Sequence, residues 1–150
     1  NSAKELAKEL QGRLIVVYGS GIFSGVARRW KSQFNENSKA WAFFELLPEA
    51  HHNSVVGYSM PQELRDRAFV LMLKPSHLHP RTSDRYRVTK ELLTREGIAH
   101  RQIEGWGSSP LSQMLSVVLL GDYVSYYLAL LQGVDPSPVA TVDFIKSRMG

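Results

Sequence analysis

The sequence contains no cysteine among its 150 residues, which excludes disulfide bonds, cysteine-ligated zinc and thiol catalysis. It also has little excess charge, because 18 Lys and Arg stand against 14 Asp and Glu, giving a net charge of +4. The basic residues are scattered, whereas a nucleic-acid-binding protein usually carries a dense basic stripe. We therefore rank nucleic-acid binding last among the possible functions.

Linkers and targeting segments are also missing. No repeat or low-complexity tract divides the chain, and 150 residues with 43% hydrophobic content are typical of one folded domain. No secretion signal opens the sequence, which begins with Asn1 instead of methionine. We expect a single domain, 1–150, that lies within a longer gene product.

Short apolar runs alternate with helical patterns along the chain. The predicted strands are 13–18, 39–46, 67–73 and 98–106, and the predicted helices begin near residues 2, 23, 82, 110 and 139. In the helix 82–96, the spacing predicts that Tyr86, Val88, Leu92 and Leu93 face inward. This alternation predicts an α/β three-layer sandwich, in which helices flank a mostly parallel sheet. Ligands of such sheets bind beyond the carboxyl ends of the strands, so we expect the loops after Tyr18, Leu46, Leu73 and Trp106 at any site.

One stretch, 111–131, is apolar enough to suggest a membrane span. Asp122 lies near its middle, where a charge in a bilayer is costly. We therefore predict a buried helix and no membrane contact. Its tyrosines, Tyr123, Tyr126 and Tyr127, leave two interpretations open: a packing surface for a partner, or an ordinary core helix.

Two motifs give weaker signals. The turn 19–25 follows a strand and opens a helix, so its backbone N–H groups could receive an anion. Its spacing, G-x-G-x-x-x-G, differs from the dinucleotide fingerprint, and a tight packing turn is the alternative. The five histidines include no pair at metal-binding helical spacing beside a carboxylate. We predict neither a metal site nor a cofactor.

The most informative stretch contains Asn35-Glu36-Asn37 after one helix and Pro48-Glu49-Ala50-His51-His52-Asn53 after the next strand. A carboxylate and an imidazole at such positions can form the acid–base pair that proton abstraction beside a carbonyl requires. From spacing alone, Glu36 could equally be a surface carboxylate and His52 a residue at the start of a helix.

Four segments resemble bifunctional phosphoglucose/phosphomannose isomerases. Residues 29–39 (R-W-K-S-Q-F-N-E-N-S-K) resemble that family's R-W-K-[TS]-Q-[IF]-N-E-N-[AS]-K, and residues 48–53 are similar to its P-E-x-N-H-N. Segments 121–129 and 133–139 match as well. The likeness spans nearly the whole chain and corresponds to the second of the family's two sugar isomerase (SIS) domains, which implies a flavodoxin-like fold.

The resemblance implies roles for single residues. Glu36 matches the base that moves a proton between C1 and C2, His52 the residue that assists ring opening, and Lys146 a late lysine near the sugar. We also expect Gly19, Ser20, Arg29 and Asn35 to bind substrate. Two positions depart from the family, since His51 stands where Asn is common and Ser54 where Glu is frequent.

The implied function is interconversion of glucose 6-phosphate with fructose 6-phosphate through an enediolate, and the residues leave open whether mannose 6-phosphate is a second substrate. This chemistry of glycolysis and gluconeogenesis implies a phosphorylated hexose substrate, no cofactor and a cytoplasmic location. The family's S-x-S-G-x-T phosphate cradle is absent here, which implies an upstream SIS domain. The resemblance also implies a homodimer in which the histidine crosses the interface, so the isolated domain should have little activity. The alternative is a non-catalytic module that binds or senses sugar phosphates.

Overall fold

The computed structural model describes residues 1–150 and contains a single parallel sheet of four strands. The strands are β1 (Leu14–Gly19), β2 (Ala42–Leu46), β3 (Ala68–Lys74) and β4 (Ala99–Glu104). The α-helices are α1 (Ser2–Leu10), α2 (Ser24–Glu36), α3 (Gln62–Arg65), α4 (Pro80–Arg95), α5 (Pro110–Leu131) and α6 (Ala140–Met149). Short 3-10 helices cover Gly21–Phe23, Glu49–His52 and Ser54–Ser59. The predicted α/β sandwich is confirmed, although α3 and the turn Glu49–His52 were not predicted.

The strand order is β2-β1-β3-β4, so β1 and β3 lie in the middle and β2 lies at an edge. The central strands are continuous apolar runs because helices cover both faces of a parallel sheet. In β2 only Ala42 is fully buried. This strand begins three residues later than predicted, since Lys39 adopts a left-handed backbone with φ 53° that turns the chain.

Two apolar cores lie on opposite faces of the sheet. One contains residues of α1, α2 and α5, with Trp30 at its centre, and the other contains residues of α4 and the 3-10 turns. Trp30 is 1% exposed, and its Nε1 donates to the Val117 carbonyl at 3.0 Å. The two cores hold the sheet as the rigid element that positions the surrounding loops.

α5 differs from the expected buried helix, because only one of its faces is covered. Val117, Gly121, Val124 and Leu128 lie in the core. The outer face exposes large apolar side chains: Leu111, Leu115, Leu119, Tyr123, Tyr126 and Leu130. By length and composition α5 is the one helix that could cross a membrane, with a mean hydropathy of 1.6 over 18 residues. A core helix of a globular protein passes the same test. The use of the outer face as a partner surface stays a prediction.

The inward face of α4 also differs from the prediction. Tyr86, Thr89 and Leu93 are buried, whereas Val88 is 43% exposed. A buried threonine is tolerated at this position because its hydroxyl is hydrogen-bonded twice, to His51 and to the Arg85 carbonyl.

Candidate active site

Glu36 is the last residue of α2 and lines an open cleft of about 820 Å³. The other wall comes from the segment before α6 and from its first turn, including Asp135, Pro138 and Thr141. This volume lies within the range of small-molecule sites, about 300–1,000 Å³. We call this space the Glu36 cleft.

The two asparagines that flank Glu36 bind other parts of the protein. Asn35 donates through Nδ2 to the Ala40 carbonyl at 2.9 Å, and Asn37 donates to the Ser125 hydroxyl at 3.0 Å. Both amides therefore fasten the end of α2, one to the following turn and one to α5. The carboxylate between them is exposed and free of ion pairs within the chain. Asn35, predicted to bind substrate, does line the cleft.

Lys39 closes the turn beside Glu36. Its Nζ donates to the backbone carbonyl of Glu36 at 2.5 Å and to the Pro136 carbonyl at 3.2 Å. This ammonium thus joins the end of α2 to the segment that forms the far wall of the cleft. The sequence pattern predicts Lys39 as the first residue of a strand, whereas the structure marks it as a turn residue, because it is a non-glycine residue at positive φ.

His52 ends the 3-10 turn Glu49–His52, which directly follows β2. The turn is anchored by Ala50, which is fully buried in the core beside α4. Asn53 reinforces it, because its Nδ2 donates to the Glu49 carboxylate at 2.9 Å. His52 itself is exposed, so its position depends on the backbone of this turn.

Glu36 and His52 do not meet within one chain. β2 pairs with β1 so that Ala42 lies at the amino end of the sheet and Leu46 at its carboxyl end. Glu36 precedes β2 and His52 follows it. The five residues of β2 alone, at about 3.3 Å per residue, separate its ends by roughly 13 Å. The loops at the carboxyl edge, where we expect ligands to bind, therefore do not include Glu36, since helix α2 returns the chain to the amino edge.

Gly19 and Ser20 lie at the carboxyl end of β1, where both have packing roles. A Cβ on Gly19 would lie 2.6 Å from the Phe23 carbonyl oxygen, so only glycine allows this close turn. Ser20 is 2% exposed, and its hydroxyl pairs with the Tyr86 hydroxyl at 2.9 Å. These contacts favour the tight-turn interpretation, and substrate binding by the two residues stays a prediction.

The other predicted residues lie apart from these two groups. Arg29 forms an ion pair with Asp122 of α5 at 3.1 Å, and Gln33 donates to the same carboxylate at 2.7 Å. Lys146 is exposed on α6, beyond the part of that helix that lines the Glu36 cleft. Their roles toward a substrate stay predictions.

Three buried tyrosines form hydroxyl contacts behind the carboxyl edge. The Tyr18 and Tyr58 hydroxyls lie 2.7 Å apart, and Tyr86 donates to the Leu73 carbonyl at 2.7 Å. Burial raises the pKa of all three phenols, that of Tyr86 to about 12. They stay protonated and serve as fixed supports beneath the turn that carries His52. No group of three His, Asp or Glu side chains in the chain could hold a metal ion.

Comparisons with known proteins match the whole chain. Residues 1–149 match the model of the bacterial phospho-glucose isomerase C-terminal SIS domain. The chain is 42% identical over 146 residues to the bifunctional phosphoglucose/phosphomannose isomerase of Aquifex aeolicus, covering 97% of this chain and 45% of that protein. Its identity to the Caldicellulosiruptor bescii protein of the same name is 38% over 150 residues, with 99% and 44% covered.

A solved structure agrees with these sequence matches. The glucose-6-phosphate isomerase like protein from Thermus thermophilus superimposes with a TM-score of 0.76 at 27% identity, over 93% of this chain and 46% of that one. The chain thus spans about half the length of the proteins that it matches. The match over 149 residues shows that this chain belongs to the family of bacterial phosphoglucose isomerase C-terminal SIS domains.

Proposed function

We propose that this chain is the C-terminal half of an isomerase that interconverts glucose 6-phosphate, and mannose 6-phosphate, with fructose 6-phosphate. The observation that carries the proposal is the free carboxylate of Glu36, which lies between two anchored asparagines at a cleft of about 820 Å³. Relatives that match nearly the whole of this chain are named phosphoglucose/phosphomannose isomerases.

The geometry supports Glu36 as the base that moves a proton between C1 and C2. A carboxylate that is fixed through its neighbours and carries no ion pair is available to an entering sugar, and such positioned bases contribute about 10²–10⁴-fold to rate. Lys146 would stabilise the negative charge of the enediolate. Asn35 lines the same cleft, and we propose that Arg29, Gly19 and Ser20 contact substrate only in the complete enzyme.

A second copy of the chain would supply the histidine. Glu36 and His52 flank opposite ends of the edge strand β2, so a two-fold axis beside the middle of β2 would bring each His52 to the Glu36 of the other copy. Trp41 and Phe43 support this arrangement, because both rings are exposed at this edge, 73% and 40%, and lie 5.1 Å apart. We therefore propose a homodimer with two composite sites.

The upstream half would hold the phosphate group. The relatives are about twice as long as this chain, and no serine-rich phosphate cradle occurs within it. We propose a second SIS domain on the amino-terminal side, and little activity for residues 1–150 alone. Because hexose phosphates are metabolised inside the cell, we further propose a cytoplasmic location.

Substitution of Glu36 tests the proposal. In the full-length protein, Glu36→Gln should lower kcat for conversion of fructose 6-phosphate to glucose 6-phosphate by about 10³-fold with little change in KM, because the amide cannot accept the proton. A coupled assay of glucose 6-phosphate measures the rate. Glu63→Gln, an exposed carboxylate on α3, is the matched control and should leave the rate unchanged.

Proton exchange separates an enzyme from a binding module. In deuterated water the wild-type protein should incorporate deuterium at C2 of glucose 6-phosphate, whereas a module that only binds the sugar would incorporate none. Normal turnover by Glu36→Gln would show that the base is another residue. Comparing residues 1–150 alone with the full-length protein tests the need for the upstream half.

A further inference from the structure

His51, the residue before His52, is bound on both ring nitrogens by α4. Its Nε2 lies 2.7 Å from the Thr89 hydroxyl, and its Nδ1 lies 3.1 Å from Nη1 of Arg85. The Thr89 hydroxyl also lies 2.7 Å from the Arg85 carbonyl. The histidine therefore joins the turn Glu49–His52 to two consecutive turns of α4.

The chemistry of the partners fixes the protonation of His51. A guanidinium can only donate, so Nδ1 must accept from Arg85, which leaves the ring proton on Nε2. Nε2–H then donates to the Thr89 hydroxyl, and that hydroxyl donates to the Arg85 carbonyl. Each donor in this closed series of hydrogen bonds has one acceptor, and the imidazole of His51 is neutral. Burial, then the charge of Arg85 and that of His52, lower the pKa of His51, which agrees with the neutral form.

The contacts of His51 bear directly on the position of His52. Ala50 is fully buried, His51 is tied to α4, and His52 is exposed at the end of the same short turn. A 3-10 turn of four residues has few internal hydrogen bonds, so side-chain anchors decide its orientation.

We propose that His51 is a positioning residue, which holds the turn Glu49–His52 against α4 and thereby orients His52 for ring opening. This inference rests on the proposed isomerase function and on the role of His52 within it. His51 itself touches no reacting atom in this proposal. It acts through the backbone of the turn.

Paired substitutions of Thr89 separate this role from packing. In the full-length protein, Thr89→Val keeps the shape of the side chain but removes the hydroxyl, and it should lower kcat about tenfold while KM stays within twofold, because misplaced groups mainly slow the chemical steps. Thr89→Ser keeps the hydroxyl but loses a methyl group, so it should lower the melting temperature and retain kcat. The reverse pattern, with Thr89→Ser slow and Thr89→Val normal, would overturn the proposal.

A double-mutant cycle tests the link to His52. His51→Ala should lower kcat about tenfold in the wild-type background and should cause no further loss in His52→Ala, because the positioned group is then absent. Equal losses of kcat in both backgrounds, or normal turnover by His51→Ala, would overturn the proposal that His51 positions His52. Arg87→Gln, on the exposed side of α4, is the control and should change neither kcat nor KM. An inactive wild-type protein would refute the proposed function and this inference together, whereas an active protein with insensitive His51 variants would refute this inference alone.

Discussion

Gly121 shows how one missing side chain shapes the core at the residue scale. A Cβ at this position of α5 would lie 2.3 Å from Nε1 of Trp30 and 2.4 Å from its Cε2. The absent side chain lets the indole lie against the helix, where Nε1 reaches the Val117 carbonyl. Since α2 carries both Trp30 and Glu36, this contact also fixes the helix that ends at the proposed base.

We expect Gly121→Ala to lower the free energy of unfolding by about 1–3 kcal/mol, the usual cost of overpacking a core. Urea denaturation measures this change. Gly25→Ala is the matched control, because a Cβ there would meet nothing within 4 Å in helix α2. It should leave the free energy of unfolding unchanged or raise it by up to about 0.5 kcal/mol, since alanine is the better helix former but Gly25 lies in the first turn of α2. Equal effects of the two substitutions would contradict the packing explanation.

At the scale of elements, buried phenols connect β1, α4 and the 3-10 turns on one face of the sheet. Tyr18 of β1 meets Tyr58 of the turn Ser54–Ser59, and Tyr86 of α4 meets Ser20 after β1. Each hydroxyl has a partner, so this polar chain costs little despite its burial. It aligns the elements on which the turn with His52 rests.

The buried phenols predict a loss of stability at high pH. An unfolded tyrosine releases its proton near pH 10, whereas burial raises the pKa of Tyr86 to about 12 in the folded chain. Between these values the unfolded state binds fewer protons. The free energy of unfolding should therefore be unaffected below pH 10 and should fall above it, by up to about 1.4 kcal/mol per pH unit for each such tyrosine.

Urea denaturation at intervals from pH 8 to pH 12 measures this slope. Tyr86→Phe should lower the free energy of unfolding by about 1 kcal/mol at pH 8, because its hydrogen bonds are lost. The free energy of unfolding of this variant should also fall less steeply above pH 10. Tyr123→Phe on the outer face of α5, where the side chain is 51% exposed, should change the stability at pH 8 by less than about 0.5 kcal/mol. A free energy of unfolding that stays constant to pH 12 would contradict the raised pKa of Tyr86 in the folded chain.

At the scale of the whole molecule, the separation of Glu36 from His52 makes a prediction about assembly. If each site takes its base from one copy and its histidine from the other, two different inactive variants can rebuild a site together. A dimer of a Glu36→Gln chain and a His52→Ala chain contains one intact site and one site that lacks both groups.

Co-expression of these two full-length variants should restore about a quarter of the wild-type activity, since half of the random dimers are mixed and each has one of two sites intact. The rate per dimer measures the recovery, after both chains are detected in the purified protein. Pairing Glu36→Gln with a chain that carries both substitutions is the control and should restore nothing. Mixed dimers no more active than their parents would show that the two groups do not act across an interface.

The sequence predicted the sheet well because buried parallel strands are continuous apolar runs, as in β1 and β3. It predicted the edge strand less well. Lys39 was assigned to β2, and nothing in its side chain shows that its backbone would turn at positive φ. Val88 was placed inward from hydrophobicity, whereas Thr89 is buried because it has tertiary hydrogen-bond partners that periodicity cannot show.

The sequence predicted which residues belong to the candidate site, but not how those residues are arranged in space. Motif spacing pointed to Glu36 and His52, yet their separation follows from the direction of α2 and from the register of β2 against β1. The wall contributed by Asp135, Pro138 and Thr141 depends on contacts nearly 100 residues apart in the sequence, such as that between Lys39 and Pro136. Short-range patterns do not contain this information.

The position of β2 between Glu36 and His52 has a consequence for how the length of this chain can change in evolution. In the proposed dimer, the length of this strand would set the distance from each histidine to the base on the opposite copy. Inserting or deleting one residue in β2 would alter both sites at once, and no compensating change within a single site could restore them. We therefore expect the five residues of β2 to be kept without insertion or deletion.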